Sequence, residues 1–145
     1  MTTHQIQLLQ QSWLAVKPIA AEAGTIFYRK LFEAAPEIRH FFKADINGQA
    51  EKLMQMLGYI VANLKFPEKL FPEVRKLAAR HNQYKAEAVH YELVGQCLIE
   101  TLKEGLGSFW NAELQDAWVT AYSNLKNIMI TAQEEARQTD AENVV

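Results

Sequence analysis

A chain of 145 residues with 49% hydrophobic content, 22% charged content and a formal charge of −2 has the size and balance of one globular domain, which excludes a disordered chain or a fibrous repeat. So small a net charge supplies no field for nucleic acid or for an anionic membrane, and neither is expected as a partner. The single cysteine, Cys97, leaves no internal disulfide, the start Met-Thr-Thr-His-Gln is neither basic nor apolar, and no apolar run approaches the roughly 20 residues of a membrane span, so a cytoplasmic protein is expected.

Thr2 with Gln5 forms a capping-box pattern, and Ile6, Leu9, Trp13 and Val16 recur at helical spacing, predicting a first helix that ends near Pro18. A second helix is predicted from about Ile19 to Ala34, with Ile26, Phe27, Leu31 and Phe32 inward and Tyr28 one step from that stripe. Pro36 opens a short third helix ending in Phe41 and Phe42. Lys43 to Gly48 reads as a corner with Asn47 as the cap of the next helix, which runs to Leu64. Along it Gln49, Leu53, Met56 and Ile60 share one face.

Pro67 and Pro72 punctuate the following connection, after which Val74, Leu77 and His81 continue helical spacing. Two long helices follow, roughly Glu87 to Leu106 and Ala112 to Ala136, separated by Gly107 and an Asn111 cap. The alternation that marks strands is missing. The prediction is an all-α domain of seven or eight unequal helices over residues 1–137, with a disordered tail over 138–145. Unequal helices wrap around a pocket more readily than equal ones, which form simple bundles.

The residue with the most chemistry is His81, at the end of a helix on its apolar side with Leu77 four residues before it. An imidazole held there donates an electron pair to a metal while its other nitrogen bonds a carbonyl. Taken alone the signal is weak, because a lone histidine on an apolar face is more often a satisfied core residue than a ligand. His4, His40 and His90 sit in no comparable surroundings. The order of the chain adds to the case: an aromatic-rich short helix ending in Phe42, then a helix bearing Gln49 and Leu53, then His81. A flat porphyrin needs apolar walls, an aromatic ring on one face and a polar donor near the sixth iron position, all of which this set contains. Tyr28, Phe41 and Phe42 are equally consistent with ordinary packing, and Trp13 and Trp118 with the core.

The segments FYRKLFEAAPEIRHFF, KLMQMLGYIV, RKLAARHNQY, HYELVGQCLIETL and DAWVTAY together resemble the globin family, in particular bacterial single-domain haemoglobins and the globin part of flavohaemoglobins. The resemblance spans about Gln5 to Gln133 and implies the globin fold around a haem pocket. It implies His81 as the axial iron ligand, Phe42 packed on the porphyrin, Gln49 and Leu53 over the iron on the distal side, and Tyr28 lining that side. Tyr84 and Tyr91 match aromatic positions on the side of His81.

Two departures from the family matter. Gln49 stands where many animal globins have histidine, and an amide donates a hydrogen bond but ligates iron poorly, which argues against coordination by two histidines. Flavohaemoglobins join the tyrosine matching Tyr91 to a carboxylate; eleven residues after Tyr122 stands Gln133, with Glu134 and Glu135 directly following. Loss of that carboxylate weakens electron donation from His81 and disfavours peroxidase-like chemistry.

With no CxxCH to tether it, the cofactor implied is haem b, iron protoporphyrin IX. The ligands implied are dioxygen, carbon monoxide and nitric oxide, bound by a monomer or homodimer. Reversible, high-affinity binding of dioxygen for scavenging, storage or transport is the leading expectation. The alternative is a nitric oxide dioxygenase working with a separate reductase, since the sequence contains no GxGxxG nucleotide fingerprint.

Overall fold

The computed structural model describes the chain apart from residues 43, 44, 84, 85, 144 and 145. Its helices are α1 (Thr3–Val16), α2 (Ala20–Ala34), α3 (Ile46–Ala62), α4 (Pro67–Gln83), α5 (Ala88–Leu106) and α6 (Ala112–Asn143). Short 3-10 segments at Lys17–Ile19, Pro36–Phe41 and Gly107–Phe109 link α1 to α2, follow α2, and precede α6. The described residues contain no strand, so the all-α expectation holds. The segment opened by Pro36 is a tight 3-10 coil and not an α-helix, which accounts for part of the smaller α-helix count.

Local chemistry sets most boundaries. Thr2 Oγ1 accepts from the Gln5 N–H at 3.1 Å while the Thr2 N–H donates to Gln5 Oε1 at 3.0 Å, closing the capping box of α1. Asn111 Oδ1 accepts from the Leu114 N–H at 2.8 Å at the start of α6. The α5 helix stops at Gly107, whose φ of 53° suits a residue without a Cβ.

Three expectations are corrected. The cap of α3 is Asp45 and not Asn47: the Asp45 carboxylate accepts from the Asn47 N–H at 3.0 Å, and Asn47 lies inside the helix. Pro67 and Pro72 do not break the chain, because both belong to α4. Pro67 takes the first position, where an N–H would lack a partner anyway. Pro72 forfeits the bond to the carbonyl four residues back, and burial of the stripe Val74 and Ala78 outweighs that loss. Finally, α6 continues to Asn143, past the helix end expected near Ala136; Gln138 and Thr139 stand exposed on it. An established helix adds one hydrogen bond for each further residue, so it lengthens without needing burial.

The helices share two cores. The larger joins α1, α2, α3, α5 and the start of α6 through residues such as Leu9, Phe27, Leu31, Leu57, Leu98 and Trp118. The smaller joins α4 to α5 and the second half of α6 through Val74, Ala78, Tyr91 and Met129. Within the larger core α2 and α3 cross at Gly24 and Ala50, where a Cβ on Gly24 would lie 2.8 Å from Ala50 Cβ and 3.0 Å from its carbonyl oxygen. Glycine is what permits that approach.

The crossing predicts that Gly24→Val destabilises the fold by about 1–3 kcal/mol through overpacking. Urea unfolding followed by circular dichroism measures it, and an unchanged midpoint would contradict the close packing of α2 on α3.

Candidate functional site

The Gly24–Ala50 contact fixes what surrounds it. One turn beyond Gly24 on α2 stands Tyr28, and on α3 Ala50 is preceded by Gln49 and followed, three residues on, by Leu53. Tyr28 is buried, so it belongs to the inward stripe itself. Its ring meets Phe27 edge-on at 5.1 Å and Phe42 edge-on at 5.4 Å, with Phe32 at 5.7 Å. Phe32 and Phe42 also touch, at 5.5 Å, so the 3-10 segment after α2 folds its terminal aromatic back onto the helix. These edge-to-face pairs hold the tyrosine ring in place.

Along α3 two stripes differ in cover. Ala50, Met54, Leu57 and Val61 are buried, whereas Gln49, Leu53, Met56 and Ile60 are half-buried. The same contrast recurs on α4, where Val74 and Ala78 are buried and Leu77 and His81 are half-buried. The α4 helix packs principally on α6. The half-covered stripe of α3 therefore borders the larger core and that of α4 the smaller one.

At the end of α4 the His81 Nδ1–H donates to the Leu77 carbonyl at 2.8 Å. A carbonyl only accepts, so the neutral ring has its proton on Nδ1 and its lone pair on Nε2. Burial pushes the His81 pKa below the usual 6.5, opposed by the Leu77 bond and assisted by the charge of Arg80, so the ring stays neutral at neutral pH. The Tyr91 ring lies nearly parallel to it, centroids 6.0 Å apart at 20°.

Behind this pair a network crosses from α5 to α6. The Tyr91 hydroxyl donates to Gln133 Oε1 at 2.6 Å, and Gln133 Nε2 donates to the Ala86 carbonyl at 2.7 Å. Arg137 adds a bond to the same carbonyl at 3.2 Å and one from Nε to Asn82 Oδ1 at 3.0 Å. Ala86 in turn donates its N–H to the His81 carbonyl at 3.1 Å. The Tyr122 hydroxyl donates to the Tyr91 carbonyl, and burial raises the pKa of both tyrosines. Gln133 is itself buried, while Glu134 and Glu135 are exposed. The position reached by counting from Tyr122 is thus the one that meets Tyr91, and it carries an amide.

The structure brings Tyr28, Phe42, Gln49 and Leu53 to one side and His81 with Tyr91 to the other; Tyr84 lies outside the described residues. The remaining histidines have surface roles: His4 pairs with Glu113, His40 stacks obliquely on Phe41, and His90 Nδ1 caps the Glu87 N–H at 2.9 Å. Asn82 and Arg137 were missed from sequence. Only the four-residue step from Gln133 to Arg137, which puts both on one face of the helix, could have hinted at them.

The arrangement agrees with comparisons to known proteins. The Globin family model matches residues 25–129. A flavohemoprotein of Rhizobium meliloti is 28% identical over 88% of this chain, which spans 34% of that protein. The anaerobic nitrite reductase HBII of Casuarina glauca is 30% identical, with 86% of this chain and 87% of that one aligned. Among solved structures, an engineered carbene transferase, a variant of the putative nitric oxide dioxygenase RmaNOD from Rhodothermus marinus, superposes with a TM-score of 0.89 at 28% identity over 97% of this chain and 99% of its own. The bacterial globin of Campylobacter jejuni superposes with a TM-score of 0.83 at 20% identity, over 94% of this chain and 99% of its own, a likeness of fold.

The geometry around His81 can be tested in two ways. Gln133→Leu strips the buried Tyr91 hydroxyl of its acceptor and should cost about 1–3 kcal/mol of stability, read by urea unfolding, while a loss within error would show the bond to be dispensable. Because the folded pKa of His81 lies below its unfolded value, the unfolded chain takes up a proton the native chain resists. This contribution to stability is complete above about pH 6.5 and falls as pH drops toward the folded pKa. Haem-free protein should therefore lose more stability between pH 8 and pH 5 than its His81→Ala variant, and equal losses would contradict the assignment.

Proposed function

Since this chain belongs to the globin family, we propose that it holds one non-covalent haem b through His81 and binds dioxygen reversibly. The observation that carries this reading is the donation from His81 Nδ1 to the Leu77 carbonyl, on a half-buried ring that burial keeps neutral. Such a ring presents the Nε2 lone pair to a metal in a fixed orientation. Bound there, a haem would supply an iron that His81 would hold and that could take up a diatomic gas.

An apolar slab held between the two cores would complete the cover of the α3 stripe and of Leu77. The residues present suit it: Phe42 and Leu53 supply apolar wall on one side and Tyr91 on the other, and Tyr84, outside the described residues, is proposed as a further haem contact by its match to the family. Tyr28 and Gln49 are the proposed hydrogen-bond donors toward the gas, brought to one side by the Gly24–Ala50 crossing. Dioxygen draws negative charge from a ferrous iron and gains from such donors, whereas carbon monoxide draws little. Each donor is worth about 0.5–1.5 kcal/mol, so the two together would slow escape of dioxygen by roughly tenfold to a hundredfold. Gln49 is too poor a ligand to close the gas position, which keeps it available.

The amide at Gln133 separates binding from bond cleavage. Tyr91 donates into a neutral group, so no carboxylate charge reaches the His81 side to increase its electron donation. That favours reversible binding over cleavage of an O–O bond. A second reading, nitric oxide dioxygenase, is supported by the likeness to the Rhodothermus marinus protein over nearly the whole chain. Nitrate would take both atoms of dioxygen and the nitric oxide, and one electron from a separate reductase would restore the ferrous state. The flavohemoprotein relative is about three times as long as the aligned part, so a reductase partner belongs to the same proposal.

His81→Ala should purify with most haem lost and regain part of it in imidazole, and acidified butanone should extract the pigment from the natural protein. A larger loss from His40→Ala or His90→Ala would overturn the ligand assignment. In stopped flow, Tyr28→Phe and Gln49→Leu should each release dioxygen faster, about tenfold for every 1.4 kcal/mol lost, with carbon monoxide release little changed and the double variant non-additive. Equal acceleration of both gases would mean a steric effect and no polar pocket. With nitric oxide, dioxygen and an added reductase supplied together, the protein should form many nitrates per haem if the second reading holds, and no more than one per haem if it does not.

A further inference from the structure

On the face of α3 turned away from Gln49 and Leu53 lies a cleft of about 1010 Å³ between α1, the start of α2 and α3. That is at the upper end of small-molecule sites, which run to about 1,000 Å³. The α1 and α3 helices run antiparallel along it, since Gln10 Nε2 donates to the Val61 carbonyl at 3.2 Å and Trp13 lies against Gly58. Leu14, Met54, Val61 and Ala62 give it apolar walls, and Leu14 stands 66% exposed at its edge.

The floor carries an unusual group. Of the three indoles, Trp118 donates to Ser12 Oγ at 3.0 Å and Trp110 to Gln115 Oε1 at 3.2 Å, but Trp13 Nε1 has no partner among the described residues. Trp13 is only 6% exposed, yet its Nε1 is not sealed off, because no fully shielded polar atom among the described residues lacks a partner. A Cβ on Gly58 would lie 3.1 Å from that nitrogen, so the glycine is what leaves the N–H open to the cleft. An N–H that opens on the cleft with no acceptor in the protein is left to bond water there, and a ligand's acceptor can take that water's place.

One helical turn after Trp13 comes Lys17, exposed, lining the same cleft and in no ion pair among the described residues. Glu51, also exposed on the lining, lies seven residues before Gly58 on α3, at the opposite end of the cleft from Val61 and Ala62. An indole donor and an ammonium four residues apart suit a carboxylate; back from Trp13, α1 lines the cleft with the amides of Gln11, Gln10 and Gln7, and the apolar surface on that side comes from Val61 and Ala62 of α3.

From this geometry we propose that the cleft is a second binding site, separate from the His81 side, for an aliphatic carboxylate: the headgroup accepts from Trp13 Nε1 and pairs with Lys17, and the chain lies along Leu14, Val61 and Ala62. Calorimetric titration of the protein as purified with decanoate tests it, with decanol as the uncharged control. The readout is heat and does not depend on haem, so failure of the haem assignment would leave it intact.

Decanoate should bind at one site without moving the Soret band. Lys17→Gln should weaken it about tenfold without affecting decanol, and Gly58→Leu should abolish it by filling the floor. Ala21→Phe, at an exposed position of the lining, blocks the mouth without disturbing the core and should also abolish it should Gly58→Leu fold poorly. No heat with decanoate, decanol binding as tightly as decanoate, or a shifted Soret band with binding indifferent to both blocking substitutions would each overturn the proposal.

Discussion

The hydrogen bond from the Tyr91 hydroxyl to Gln133 Oε1 joins the start of α5 to the second half of α6 at the place where α4 ends. Through Gln133 Nε2 and Arg137 the same junction grips the Ala86 carbonyl, and through the Ala86 N–H it reaches the backbone of His81. The turn carrying the site's histidine is therefore tied to a helix more than 40 residues further along the chain. Without the junction the end of α4 is held chiefly by the small core of Val74, Ala78 and Met129, while the Tyr59 hydroxyl on the Lys69 carbonyl ties down only its start. The orientation of the His81 ring depends on that hold, because the Leu77 bond fixes the ring only relative to its own helix.

The opposite wall is organised by a steric constraint. At Gly24 and Ala50 two backbones meet as closely as a missing Cβ allows, and Tyr28, Gln49 and Leu53 take their places from that contact. One side of the proposed haem is thus positioned by polar bonds and the other by close packing. This division suits the proposed chemistry: a histidine that is oriented and kept neutral, facing donors on a rigid crossing. In the proposed function, Gln133, an amide where the resemblance to flavohaemoglobins implies a carboxylate, is what favours binding on the histidine side.

Much of this was legible in the sequence where the signal is local. The Thr2–Gln5 box, the Asn111 cap, the Gly107 stop and the stripes of α2, α3 and α4 each occupy a few consecutive turns, and periodicity or cap chemistry reads them directly. Errors arose where two local signals competed. Asp45 and Asn47 both suit a cap, and the carboxylate two residues earlier took the role. Pro72 reads as a breaker, but burial of Val74 and Ala78 is a tertiary gain no local rule contains. The union of Gln133, Arg137, Asn82 and Ala86 was illegible for the same reason, since its partners lie 47 to 55 positions apart. Gln133 itself was found only by counting against the globin pattern. The open indole of Trp13 depends on a glycine of another helix and leaves no trace in α1.

The central claim is that His81 presents a neutral imidazole to a haem whose other face stays open to a gas. Absorption spectra of the reduced protein, alone, with dioxygen and with carbon monoxide, test it most directly. The account predicts a five-coordinate ferrous spectrum that changes with either gas and returns when the gas is removed. A six-coordinate low-spin spectrum that neither gas alters, or a protein with no Soret band even after haem is added, would contradict it.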